Sequence, residues 1–129
     1  MVKHKLTILA LAAAALITAS VSDASAAGAL ALGRDPGHRV WFGSNSGSDT
    51  VEEAVRSAMR ACREHGPCHI ETTFWNKCFA FAWQAGGGSG FGWATRDSLR
   101  AAERAAVRLC ESHGIACELR DSRCDTVGR

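Results

Sequence analysis

The feature that most constrains the fold is an internal repeat bounded by cysteines. Residues 62–68 (CREHGPC) return as residues 110–117 (CESHGIAC) with one residue inserted. Upstream of this stretch, residues 50–62 align without a gap to residues 98–110, at an offset of 48 residues. An internal repeat of this kind indicates a duplicated supersecondary unit. Because the chain holds two copies, it predicts one domain with two pseudo-symmetric halves, at about residues 28–78 and 79–124.

The first 26 residues have the pattern of a secretory signal peptide. A basic start at residues 3–5 precedes an apolar run at residues 6–19, and residues 24–26 (ASA) form a small-residue cleavage site. The apolar run is shorter than the roughly 20 residues that a membrane-spanning helix needs. We therefore predict cleavage before Ala27, a mature domain of residues 27–129 without a transmembrane segment, and a secreted or periplasmic location. An uncleaved N-terminal anchor is the alternative.

All six cysteines lie after the predicted cleavage site, and an even count in a small exported domain indicates a disulfide framework. Six cysteines allow 15 connectivities. A zinc site at Cys62, Cys68 and His69 is the alternative, but zinc ligands of this kind are usually two to four residues apart, whereas these cysteine pairs are separated by five and six. We expect neither a metal nor a cofactor. Matching the two copies favours the local pairs Cys62–Cys68 and Cys110–Cys117, which leaves Cys78–Cys124 to join the halves.

Capping and turn signals divide each half into strand, strand, helix and strand. Thr50 and Ser98 are N-cap residues of two Ala-rich helices, each ended by a glycine. The glycine-rich residues 86–92 lack a phosphate-binding pattern and favour a wide hairpin turn, and residues 43–49 are expected to be a polar loop. We predict an α+β fold in which about six strands form one mostly antiparallel sheet, stapled by disulfides, with both helices packed on one face.

The resulting pattern resembles the DUF4189 family of small secreted bacterial proteins. The resemblance extends from about Gly28 to Cys124, although the longer polar loop of the first hairpin departs from the family pattern. It implies export and a disulfide-stapled fold, and it supplies no activity and no catalytic residue. The residues that carry it are Ala54, Ala58, Cys62, Cys68, Cys78-Phe79-Ala80-Phe81-Ala82, Gly90-Phe91-Gly92-Trp93, Ala102, Ala106, Cys110 and Cys117.

Two matched histidines are the candidates for chemistry. His65 and His113 both lie in the last turn of a helix, where the helix dipole favours a protonated imidazole, and Glu64 and Glu111 stand nearby. Histidines at helix ends are also common for purely structural reasons. Because no nucleophile-elbow or triad pattern surrounds them, we assign no catalytic residue. A small secreted hydrolase that uses these groups is the alternative function hypothesis.

Four arginines are the candidates for binding. Arg100, Arg104 and Arg108 recur every four residues and therefore share one face of the second helix, and Arg96 stands just before that helix. The ordinary interpretation is a solvated helix face. The functional interpretation is an anion-binding strip.

The first helix has a similar set of arginines, but there we expect compensation by acidic neighbours. Arg56 is placed to pair with Glu52, and Arg60 with Glu64. The predicted mature chain has a net charge of +1, which argues against specific nucleic-acid binding. We therefore expect a non-enzymatic exported binding module whose partner is an acidic protein, a glycan or an envelope lipid headgroup.

Overall fold

The structure, a computed structural model, describes residues 26–37 and 39–125. The predicted signal peptide lies outside the described residues, except for Ala26. Within them, two successive units of strand, strand, helix and strand confirm the predicted α+β class and the pseudo-repeat. The elements are β1 (Ala27–Arg34), β2 (Val40–Ser48), α1 (Val51–Arg63), β3 (His69–Trp75), β4 (Cys78–Gln84), β5 (Phe91–Arg96), α2 (Leu99–Glu111) and β6 (Cys117–Cys124).

The strands form two antiparallel sheets of three strands each. The first sheet has the order β2-β1-β3 and the second has the order β5-β4-β6, so that β1 and β4 are the central strands. Each central strand pairs with its hairpin partner on one side and, on the other, with the strand that follows the helix. The antiparallel pairing agrees with the sequence prediction, whereas the single continuous sheet is replaced by two.

Each sheet packs against its own helix on one face and against the other sheet on the opposite face. In β1, Ala29 and Ala31 contact α1, whereas Leu30 lies in the layer between the sheets. In β4, Ala82 faces α2 and Phe81 lies between the sheets. The helices therefore cover opposite outer faces of a four-layer molecule, not one face as we expected. The physical reason is that the bulky face of each central strand needs a second apolar surface, and the other half supplies it.

Aromatic rings fill the layer between the sheets. The rings of Phe42 and Phe81 lie 4.5 Å apart between centroids, and those of Phe74 and Phe79 are stacked at 4.9 Å. Each pair contains one residue from each half, so these contacts join the two sheets. Ring pairs at such distances add to the free energy gained from burying their apolar area.

Both helices begin at the predicted caps and have 13 residues each. The Thr50 hydroxyl accepts a hydrogen bond from the Glu53 N–H at 3.2 Å, and the Ser98 hydroxyl accepts one from the Ala101 N–H at the same distance. Between them these bonds satisfy two of the free donors at the helix starts. Neither helix, nor any other in the described part of the chain, is long and apolar enough to cross a membrane.

Two local expectations need correction. The polar residues 43–48 are not a loop, because they continue β2 and pair with β1 through main-chain hydrogen bonds. The six cysteines all lie among the described residues and form the pairs Cys62–Cys68, Cys78–Cys124 and Cys110–Cys117, which are the pairs that the repeat favours. Because Cys78 begins β4, it belongs to the second unit and not to the end of the first, so the long bridge links neighbouring strands β4 and β6 and does not join the halves.

Candidate functional site

The exposed face of α2 carries the three arginines that the sequence singled out. The helix buries Ala102, Ala105, Ala106 and Cys110 against the second sheet, so that residues on the opposite side face the solvent. Arg100, Arg104 and Arg108 are all exposed there. At a rise of 1.5 Å per residue they span about 12 Å along the helix. We call these three residues the α2 arginine face.

Carboxylates do not neutralise this face. Within the described residues, none of its arginines has a carboxylate oxygen within 4.0 Å. Of the nearby acids, Glu103 accepts a hydrogen bond from Ser122 on β6 and Asp97 pairs with Lys77, whereas Glu111 is exposed and forms no ion pair with a described residue. The first turn of α2 also has no acidic residue. The α2 arginine face is therefore a solvent-facing cluster of positive charge that no carboxylate of residues 26–37 or 39–125 neutralises by direct contact.

Arg96 lies apart from this face, at the end of β5. Its guanidinium donates a hydrogen bond to the Thr95 carbonyl oxygen at 2.8 Å. Its side chain lines an open groove of about 490 Å³ between α2 and β5, together with Leu109 and His113. The three arginines predicted to share a stripe thus lie on one helix face, and Arg96, predicted to stand just before the helix, lies at the rim of an adjacent groove.

The arginines of α1 are less compensated than we expected. Arg56, Arg60 and Arg63 form no ion pair within the described residues, so the predicted pairs with Glu52 and Glu64 are not made. These arginines line an open groove of about 700 Å³ whose floor is apolar, with Glu64 at its end. The acidic residues Glu52 and Glu53 occupy the first turn of α1, which leaves this helix less uniformly positive than the exposed face of α2.

The two matched histidines lie at different helix ends and both are exposed. His113 lines a cavity of about 420 Å³ together with Arg34, Gln84 and Ser89, and neither His65 nor any carboxylate is among the lining residues. Within the described residues, the histidine that contacts a carboxylate is His69, at 3.2 Å from Glu71 on the same strand. A base oriented by a carboxylate, which the hydrolase hypothesis requires, is therefore missing at both predicted positions. Glu64 and Glu111 are exposed.

The zinc alternative loses two of its three ligands to a disulfide. Cys62 and Cys68 are bonded to each other, and an oxidised cysteine has no thiolate to offer a metal. In the part of the chain that the structure describes, no group of three histidine, cysteine or acidic side chains could hold a metal ion.

Sequence reasoning missed Asp125, which is the one buried charged residue among the described ones. Its side chain accepts a hydrogen bond from the Gly47 N–H at 2.9 Å, and burial raises the pKa of the carboxyl group from 3.8 to about 6. A signal did exist in the repeat. Asp125 follows the last strand of the second half as Asn76 follows the last strand of the first, and a polar side chain at matched positions indicates a structural role.

Comparisons with known proteins give one match. The model of the DUF4189 family, described as a domain of unknown function, matches residues 27–124, which is most of the chain and includes every strand and helix described above. Neither the comparison with curated proteins nor that with solved structures found a match. The duplicated Ala-rich helices and the cysteines around them are thus features of a recognised domain, and the chain belongs to the DUF4189 family.

Proposed function

We propose that the protein is an exported, non-enzymatic binding module that takes an anionic partner on the α2 arginine face. The observation that carries this proposal is that no carboxylate of the described residues lies within 4.0 Å of Arg100, Arg104 or Arg108, on a helix whose first turn, unlike that of α1, has no acidic residue. A guanidinium presents its donors in a planar fork that suits carboxylate and phosphate groups. Three such groups over about 12 Å fit a partner with repeated negative charge.

Export is supported by the cysteine chemistry and by the N-terminal sequence. Three disulfides in a small domain are typical of secreted or periplasmic proteins, because the cytosol keeps thiols reduced. The basic, apolar and small-residue segments of residues 1–26 supply the signal. We expect cleavage before Ala27, and mass spectrometry of the exported protein measures the terminus directly.

Among anionic partners, the exposed apolar residues favour a lipid surface over a glycan or an acidic protein. Leu99 and Leu109 are adjacent in sequence to the first and last arginines of the face and keep 38% and 48% of their surface exposed. Successive helix positions lie about 100° apart, so the two leucines stand on either side of the arginine face, where their exposed apolar area can meet a lipid leaflet. Each basic residue near an anionic leaflet contributes about 1 kcal/mol to binding.

The test replaces Arg100, Arg104 and Arg108 together with glutamate and measures co-sedimentation with vesicles that contain phosphatidylglycerol. At about 1 kcal/mol per arginine, we expect binding to fall by roughly 100-fold or more. Wild-type binding should also weaken between about 0.05 M and about 0.5 M salt, since the screening length becomes shorter than the face. Vesicles of phosphatidylcholine alone should capture neither protein.

The chain offers a matched control on the opposite outer face. Replacing Arg56, Arg60 and Arg63 with glutamate makes the same change of charge on α1, and this variant should retain most of its vesicle binding. Equal losses in both variants would show a general charge effect and contradict a specific α2 face. Binding of heparin or of an acidic protein, but not of vesicles, would replace the lipid partner. A hydrolytic activity that His113→Ala abolishes would contradict the proposal that the protein is a non-enzymatic binding module.

A further inference from the structure

Only one of the two carboxyl oxygens of Asp125 has a hydrogen-bond partner among the described residues. Asp125 is only 2% exposed, and its main-chain N–H donates to the Lys77 carbonyl oxygen at 2.8 Å. Its Oδ1 accepts the hydrogen bond from Gly47, whereas its Oδ2 is buried without a hydrogen-bond partner among the described residues. A buried carboxylate oxygen without a hydrogen-bond partner raises the free energy of the folded state. A group that pairs with Oδ2 would therefore stabilise the fold.

The nearby cations are already engaged. Arg123, whose charge acts on Asp125, directs its guanidinium to Asp121, with nitrogen–oxygen distances of 3.0 Å. Lys77 forms an ion pair with Asp97. Neither side chain is within hydrogen-bond distance of Oδ2. The Ser46 hydroxyl also lowers the pKa of the carboxyl group, but it forms no hydrogen bond with Oδ2. A partner for Oδ2 must therefore come from another group.

The unpartnered oxygen lies against the very beginning of β1. An ideal Cβ built on Gly28 would lie 2.5 Å from Oδ2 and closer still to the Phe74 ring, so the absence of a side chain at this glycine leaves room for both groups. The preceding residue is Ala27, the first residue of β1, which is completely buried in the chain. Ala27 is also the residue at which we expect the mature protein to begin.

The first half has a residue at the position that matches Asp125, and the side chain of that residue does not cross to the other sheet. Asn76 and Asp125 occupy matched positions, because each donates its main-chain N–H to the residue just before the first strand of its half, Ala26 and Lys77. The Asn76 side chain stays within its own half, where its Oδ1 accepts from the Ala26 N–H at 3.3 Å. The Asp125 side chain instead crosses to the first sheet and ends beside Gly28.

We propose that Asp125 is a binding site for an ammonium group, and that the group it binds is the α-ammonium that cleavage before Ala27 creates. The proposal rests on the export step of the proposed function. An α-amino group is protonated at neutral pH, and at the buried start of β1 it needs an anionic partner. In the uncleaved chain the Ala27 nitrogen is a neutral amide with a single hydrogen, and it is not a partner of Oδ2, whereas cleavage gives this nitrogen three hydrogens and a positive charge. Signal cleavage would then complete an ion pair between the two halves and stabilise the mature fold.

The test compares two N-terminal forms of the exported protein. The natural precursor yields the first form, and a precursor with Ser-Gly inserted after Ala26 keeps residues 24–26 intact but moves the new terminus two residues upstream. Mass spectrometry establishes both termini. We expect the form that begins at Ala27 to melt at the higher temperature. A natural terminus at any other residue overturns the proposal, and this result is separate from the vesicle measurement that tests the α2 face.

The Asp125→Asn substitution, made in both forms, then measures the contribution of the ion pair between Asp125 and the α-ammonium group. We expect this change to lower the melting temperature of the form that begins at Ala27, where it breaks the pair, and to raise that of the extended form, where it removes an unpaired buried acid. Asp35→Asn is the control, because Asp35 pairs with Arg39 just beyond the opposite end of β1, and its effect should not depend on the terminus. Equal shifts from Asp125→Asn in the two forms overturn the proposal, and so does a dependence on the terminus of the same size with Asp35→Asn.

A second measurement needs no variant of Asp125. The α-amine of a buried ion pair reacts slowly with cyanate, because only the unprotonated, accessible amine is a nucleophile. We expect carbamylation of the folded form that begins at Ala27 to be at least on the order of tenfold slower than that of the extended form, which corresponds to one pKa unit. Equal rates would show that the ammonium is free and would overturn the pair.

Discussion

At the scale of single residues, Asp125 governs a pH dependence that we predict for any form of the chain whose terminus lies upstream of Ala27. Burial raises the pKa of its carboxyl group to about 6, against the lowering influence of the Gly47 hydrogen bond and the Arg123 charge. The folded state therefore retains a proton that the unfolded state releases. The contribution of Asp125 to the free energy of unfolding is complete below about pH 4, the pKa of the unfolded state, and is lost as the pH rises through about 6. The shift corresponds to roughly 3 kcal/mol.

Urea unfolding of the extended form between about pH 4 and about pH 7 measures this fall. The Asp125→Asn variant is the control, because an amide does not titrate and its profile lacks this contribution. The informative quantity is the difference between the two profiles, since other groups titrate equally in both. If the difference stays constant across the range, Asp125 has an ordinary pKa and is not the buried acid described above.

Single residues also mark the limit of what sequence can tell about the site. The arginines at a spacing of four could be placed on one face of α2 because a helix has a fixed period, and the structure shows them exposed there. Whether a carboxylate reaches them depends on side chains from other elements, such as Ser122, which engages Glu103. The repeat marks the position of Asp125, but its burial could not be predicted for the same reason, since that burial arises from β1 and β2, which are far away in sequence.

At the scale of elements, the packing of each helix on its sheet depends on glycine. A Cβ on Gly92 of β5 would lie 2.6 Å from the Ala106 carbonyl oxygen of α2, and one on Gly43 of β2 would lie 2.9 Å from the Cys62 Cβ of α1. Distances under 3 Å are closer than real Cβ atoms approach, so something would have to move. The obstructing atoms belong largely to helix backbone, which cannot rotate away as a side chain can.

We therefore predict that Gly92→Ala and Gly43→Ala each destabilise the protein by about 1–3 kcal/mol, the usual cost of overpacking. Thermal unfolding compares them with Gly37→Ala, a turn position where the nearest atom, Asp35 Oδ1, lies 3.4 Å from the added Cβ. The control should change stability far less. If all three variants unfolded alike, close helix–strand approach would not be what these two glycines provide.

Element boundaries were largely readable from the sequence, and the grouping of strands was not. The N-cap residues Thr50 and Ser98 gave the helix starts, because capping is a local property of the chain. In β4, Phe79 and Phe81 alternate with alanines, which is a pattern typical of a strand. Both faces of β4 are buried, and the alternation alone does not say that a helix covers one face and a second sheet the other.

At the scale of the whole molecule, no disulfide links the two halves of the chain. Each disulfide closes a link within one half, since Cys62–Cys68 lies in the first unit and the other two lie in the second. The halves are instead held by the aromatic layer and by polar contacts such as that from the Trp93 indole to Glu71 at 3.2 Å. A half by itself would expose the apolar face of its sheet, so neither half has a complete core.

The last prediction follows from this arrangement and concerns cooperativity. Phe81 is completely buried in the second sheet, and its ring contacts Phe42 of the first. Phe81→Ala should cost about 3–5 kcal/mol, because it removes a large side chain from a closely packed layer. Since both cores depend on this layer, we expect the loss to lower amide hydrogen-exchange protection equally in β1 and β4, with unfolding still in one transition. Reduction of protection in β4 alone, or two separate transitions, would show that each half is stable by itself and that the layer only joins two finished units.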